Sequence, residues 1–179
     1  QTARPYNVNF FTHTPPVQDE AQLAAWHAAL TPYYQAFKLD HHHMPTGAGR
    51  TPFNAQAAEV LERHRPAVVS FHFGLPAADL LAEVKALGCR VWSSATTVNE
   101  ARWLADRGVD AVIAQGLEAG GHRGMFLSDA LSTQVGTLAL LPQIVAAVSV
   151  PVIAAAKPAW LSTLVRDISC IHHSTPAAG

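Results

Sequence analysis

The sequence predicts an α/β fold with a mostly parallel sheet, on three observations. Short apolar runs alternate with stretches of helical periodicity. Between residues 67 and 116 the apolar runs recur about every 20 residues, the spacing of βα units. Two runs, DAVIAQG (110–116) and VPVIAAA (150–156), are apolar almost throughout, as strands covered on both faces are. From the residues alone, a barrel and a doubly wound sheet both remain open.

The elements follow in order. VNFF (8–11) reads as the first strand. Asp19, with Gln22 three residues on, resembles a capping box, and Leu23, Trp26 and Leu30 follow at helical spacing. Trp26, Tyr33 and Tyr34 read as core positions of that helix. KLDHHHMPTGAGRTPF (38–53) is polar and marked by Gly and Pro, which predicts a loop. AVVSFHFG (67–74) is rich in β-branched and aromatic residues and stops at Gly74 and Pro76, as a strand does. Asp79 to Leu87 sets Leu80, Val84 and Leu87 on one helical face, with Gly88 as a left-handed stop. RVWSSA (90–95) is the next strand. Thr97 with Glu100 predicts a capping box for a helix that carries Ala101, Leu104 and Ala105 and closes at Gly108. After DAVIAQG comes a long loop. A helix from Leu141 to Val148, with Pro142 in its first turn, then leads into VPVIAAA.

Bulk properties narrow the function. A chain of 179 residues is long enough for one domain with a real core. Its 12 Lys and Arg against 13 Asp and Glu leave no electrostatic footprint for nucleic acid or an anionic membrane surface. Apolar residues make up 49%, yet no run is long enough to cross a membrane. Cys89 and Cys170 stand far apart, which argues against a disulfide framework and for a cytoplasmic setting. The chain starts at Gln1 without a basic-then-apolar signal pattern, as a processed or excised chain would.

The chemistry concentrates in AQGLEAGGHRGMF (114–126). This stretch begins where a strand ends, at the ligand-binding edge of barrels and doubly wound sheets alike. Gly120 and Gly121 let the backbone approach a flat or phosphorylated ligand. Gln115 offers an amide to a polar ring edge, and His122 an imidazole that can take or give a proton. The glycines at 116, 120, 121 and 124 fit neither GxGxxG nor a P-loop. A glycine-rich connector with a surface histidine remains the competing reading. Arg123 suits either an anion contact or a plain surface role. His72 reads as a satisfied core histidine before a catalytic one, and Lys85 as a solvated charge. Ser93, Ser94, Thr96 and Thr97 stand at the same sheet edge and could line a polar pocket. His41, His42 and His43 are consecutive and lack a supporting carboxylate or Cys pattern, so a solvated loop outranks a metal site.

At this point the residues resemble a known family. AQGLEAGGHRG is similar to the signature loop of the nitronate monooxygenases, which are FMN-dependent (β/α)8 barrels. VNFF, AWHAALTPYY, RTPF, VVSFHFGLP, SSATTVNEARWLADRGVDAVIAQG, QVGTLALLPQIV and VPVIAA resemble the same family in the same order, over roughly residues 5 to 155. The resemblance implies a partial TIM (β/α)8 barrel over 1–155 that oxidises alkyl nitronates or nitroalkanes with O2 to a carbonyl compound and nitrite. It implies FMN contacts at Asn9, Gln115, Gly120 and Gly121, with His122 as the catalytic base. Alternatives are an FMN-dependent quinone or enoyl reductase of the same barrel type, or a non-catalytic partial domain.

The resemblance also has gaps. The family's Ala-Pro-Met strand and two further βα units before VNFF are absent. Ala156 and Lys157 stand where the family has glycines of its phosphate site. Five strands are legible where a closed barrel has eight. These departures predict a truncated or mis-framed member with weak FMN affinity and a divergent tail over 156–179.

Overall fold

The computed structural model describes residues 4–15, 17, 19–40 and 51–155. The expected tail over 156–179 and the His41–His43 run lie outside them. The described residues fall into two compact units. One comes from the Gln1–His13 and Pro52–Gly179 portions of the chain, the other from Thr14–Thr51.

The larger unit holds five strands: β1 Asn7–Phe11, β2 Val68–His72, β3 Arg90–Ala95, β4 Ala111–Gln115 and β5 Val152–Ala155. All neighbours are parallel, and the order is β1-β2-β3-β4-β5. That order decides between the two architectures left open above. A doubly wound sheet reverses direction at a switch point. Here each strand joins the one before it, so right-handed crossovers stack the helices on one face and leave the other as a barrel interior. The fold is a partial (β/α)8 barrel.

The pleat sorts residues between these faces. Val69, Phe71, Val91, Ala95, Val112 and Ala114 form the helix-facing core, all at or near zero exposure. The next residues along, Asn9, Ser70, His72, Trp92, Ser94, Ile113 and Gln115, share the opposite face through the strand register. One face is therefore apolar and sealed, and the other is largely polar.

Four helices cover the sealed face. They are α2 Ala55–His64, α3 Ala78–Ala86, α4 Val98–Asp106 and α5 Thr137–Ala147, which contribute the buried Leu61, Val84, Leu104 and Ile144. Helix α2 is absent from the sequence reading. Asn54 caps it through Ala57 N at 3.0 Å, but it buries only Ala58 and Leu61, a weak periodic signal. Helix α3 stops at Gly88, at φ +81°, as expected. Lys85 on α3 is not merely solvated: Nζ donates to the Arg107 carbonyl just past α4.

Two start signals need correction. Thr97 Oγ1 accepts from Glu100 N as a cap should, but the Glu100 carboxylate turns to Thr96 rather than back to Thr97. Helix α5 begins at Thr137, not Leu141, so Pro142 lies in its second turn. The start is set from outside, because Glu118 Oε2 accepts from Thr137 N at 2.8 Å and Thr137 Oγ1 at 3.0 Å. Those bonds hold the Glu118 carboxyl below its usual range.

The Thr14–Thr51 unit contains α1, Glu20–Ala36. Asp19 caps it through Ala21 N and Gln22 N. No residue of α1 is buried, and Trp26 and Tyr33 are 64% and 62% exposed. The core assignment of these aromatics is therefore corrected: helical spacing marks an apolar face but does not supply what covers it.

Candidate active site

Parallel strands bring the carboxyl ends of β1 to β4 to one edge. Each contributes there: β1 leads into Thr12 and His13, β2 ends in His72 and turns at Phe73, β3 carries Ser94, and β4 ends in Gln115. The long loop after β4 returns over this edge.

That loop is tied at short intervals. The Arg123 guanidinium donates to the carbonyls of Gly116 and Leu117, which answers the open question about its role in favour of backbone support. Gln115 Nε2 donates to the His122 carbonyl at 2.8 Å, and Gln115 Oε1 accepts from Gly124 N at 2.7 Å. His72 Nε2 reaches the same His122 carbonyl at 2.9 Å. Further on, the buried Glu100 carboxylate accepts from Phe126 N at 2.7 Å and Leu127 N at 3.2 Å. The Phe126 ring packs edge-on against Trp103 of α4, centroids 5.1 Å apart. A flexible turn would not show such ties.

The β2 turn is also held. Phe73 has φ +71° and Gly74 φ +94°. The left-handed region is strained for a bulky side chain such as Phe73, by roughly 1–3 kcal/mol. Thr12 Oγ1 lies 3.0 Å from both the His72 and Phe73 carbonyls, and Ser93 Oγ donates to the Gly74 carbonyl at 2.8 Å. The turn thus sets the Phe73 ring among those of Phe11, His13, His72 and His122, at centroid distances of 4.6 to 6.2 Å.

Each expected site residue has a definite place. The His122 ring is exposed and edge-on to Phe11 at 5.2 Å and Phe73 at 6.2 Å. Its two ring nitrogens bond to no described residue. Gly121 has φ +82°, and a Cβ built on Gly120 or Gly121 would meet nothing within 4 Å. Both glycines therefore present open backbone. Asn9 is exposed on the inner face of β1, where its Oδ1 accepts from Ser70 Oγ at 2.9 Å. Gln115 is buried, and its amide is engaged on both sides by the loop. The structure brings His122, Gln115 and the two glycines onto one loop, with Asn9 on the same face of the sheet.

His72 carries more than a core role. Its Nε2 faces a carbonyl, which only accepts, so Nε2 holds the proton; Nδ1 then accepts from the Ser94 hydroxyl at 3.0 Å. Burial depresses its pKa, the bond to the His122 carbonyl opposes this, and nearby His122 and Arg123 depress it further. The net direction is down, which favours neutral imidazole at pH 7. Ser94, Thr96 and Thr97 are absorbed by hydrogen bonds to His72, Glu100 and the α4 start, and Ser93 turns to backbone carbonyls. The sequence reading missed Glu100 and Phe73 as supports of the site. Reading His72 as a core histidine gave no sign of its partner 50 residues away.

Comparison with known proteins decides the family. A family model described as nitronate monooxygenase matches residues 1–156. The chain belongs to the nitronate monooxygenase family. It is 41% identical over 162 residues to a nitronate monooxygenase of Paraburkholderia phytofirmans, covering 86% of this chain and 42% of that protein. A Pseudomonas aeruginosa nitronate monooxygenase is 40% identical over 159 residues, with 86% and 44% covered. Among solved structures, a nitroalkane oxidase from Streptomyces ansochromogenes superposes with a TM-score of 0.72 at 35% identity, over 86% of this chain and 43% of that one. The chain therefore spans less than half the length of these relatives. The resemblance supports an oxidoreductase. Among the described residues no helix is long and apolar enough to cross a membrane.

Proposed function

We propose that this chain carries part of the catalytic face of an FMN-dependent nitronate monooxygenase, which converts alkyl nitronates or nitroalkanes and O2 to a carbonyl compound and nitrite. The observation that carries this reading is His122: a histidine whose ring nitrogens bond to no described residue, on a loop whose backbone is pinned around it, at the ligand edge of a parallel sheet. The residues present suit a flavin. Gly120 and Gly121 leave open backbone for a flat ring, and Asn9 offers an amide from the inner face of β1. Gln115 keeps one amide proton for a ring edge after bonding the His122 carbonyl.

His122 removes the acidic proton next to the nitro group, a transfer for which an imidazole nitrogen is a suitable acceptor. Phe11 and Phe73 flank the imidazole with apolar surface and limit the water around it. When bound, FMN supplies the redox chemistry, with O2 as the final oxidant.

The test uses the FMN-supplemented chain with two substrates, a neutral nitroalkane and its preformed nitronate, and follows nitrite release. His122→Ala should lower turnover of the neutral nitroalkane by about 10²- to 10⁴-fold. The nitronate needs no base and should keep most of its rate. Equal losses on both would remove His122 as the base. No turnover of either by the unsubstituted chain would leave the non-catalytic reading standing.

A further inference from the structure

We infer that His72 is a positioning residue for His122, in the Nε2–H tautomer that the His122 carbonyl requires and that Ser94 accommodates at Nδ1. The inference rests on the reading of His122 as the base.

The His122 carbonyl accepts two hydrogen bonds. One comes from Gln115 at 2.8 Å, on the strand that runs into the loop. Gln115 can only hold the loop to its own strand. The other comes from His72 at 2.9 Å, two strands away on β2. Among the described residues, His72 supplies the hydrogen bond that ties His122 to a strand other than its own, toward the Phe11 and Phe73 rings beside the His122 ring.

This tie depends on a proton at Nε2. A neutral histidine carries its proton on either nitrogen, and the wrong choice would point a lone pair at the carbonyl. The carbonyl can only accept, so it draws the proton to Nε2, and Ser94 Oγ, 3.0 Å from Nδ1, is free to turn and donate to the ring nitrogen left bare. The contact with the loop is also sterically close. A Cβ on Gly124 would lie 2.6 Å from His72 Cε1 and 3.1 Å from Nδ1. The imidazole therefore packs directly on loop backbone. A histidine kept only for core packing would not need its donor aimed at the carbonyl of the residue that bears the base.

The test uses the 179-residue chain, isotope-labelled, by NMR. Long-range ring correlations should show His72 neutral at pH 7 with the proton on Nε2. Ser94→Ala leaves the carbonyl in place, so the proton should stay on Nε2, and a move to Nδ1 would count against the tie. His72→Leu, similar in bulk but without a donor, should raise hydrogen exchange at the Gly124 amide about tenfold, the worth of one hydrogen bond. The amides of Val69 and Val91 should stay unchanged. His72→Gln keeps a donor near the Nε2 position and should bring Gly124 exchange back to within about threefold of the original.

A charged His72, a proton on Nδ1, or unchanged Gly124 exchange in His72→Leu would overturn the inference. If His72→Leu does not fold, the tautomer of the original chain and its response to Ser94→Ala decide the matter. Failure here is separable from failure of the base reading. The base reading stands or falls on the two-substrate comparison with His122→Ala. The His72 inference stands or falls on tautomer and exchange.

Discussion

A Cβ on Gly124 would meet His72 Cε1 at 2.6 Å and Gln115 Oε1 at 3.1 Å. Both neighbours are held by hydrogen bonds to the same loop, so neither yields cheaply. Gly124→Ala should cost roughly 1–3 kcal/mol by overpacking, read from the urea midpoint. Gly120→Ala makes a clean contrast. Its Cβ meets nothing within 4 Å, and stability should change by no more than about 0.5 kcal/mol. Equal effects at the two glycines would contradict the packing described. The sequence shows four glycines in the loop but not which of them is hemmed in. The loop that carries His122 stood out because it resembles a known motif. The contact of His72 with that loop did not, because alternation along a strand gives a face and never a partner on a distant loop.

At the scale of elements, Glu100 joins three segments. It is 1% exposed, and its carboxylate accepts from Thr96 N at 2.7 Å, Thr96 Oγ1 at 2.8 Å, Phe126 N and Leu127 N. It thereby fastens the β3–α4 turn to the far arm of the loop that follows β4. Glu100→Ala would strand three backbone N–H groups and should cost about 3 kcal/mol or more. The Phe126 and Leu127 amides should lose hydrogen-exchange protection before those of β2 and β3. A loss below about 0.5 kcal/mol would show that the carboxylate is not structural. Local signals located all five strands, since each is an apolar run with clear stops. They failed at α5, whose first turn is capped by Glu118 from 19 residues upstream. They failed again at α2, where two buried residues leave too little periodicity to read.

At the scale of the molecule, the described strands form an open sheet. Among the described residues β1 and β5 each have one neighbour, and the inner face leaves Trp92, Ile113 and Ile153 only partly buried. The residues alone could not choose a barrel over a doubly wound sheet, because strand order is a property of long-range pairing. The motif resemblance implied the barrel, and the sequential parallel order bears it out. The chain's span of 42 to 44% of its nitronate monooxygenase relatives makes one question central: whether five strands and the pinned loop present a flavin surface by themselves. The most direct measurement is a titration of the labelled chain with FMN to about millimolar concentration, followed by amide NMR; weak binding lies within that range. Shifts should concentrate at Gly120, Gly121, Gln115 and Asn9, with the amides of α2 and α3 unmoved. Shifts elsewhere, or none at the loop while the sheet resonances remain intact, would contradict the flavin reading.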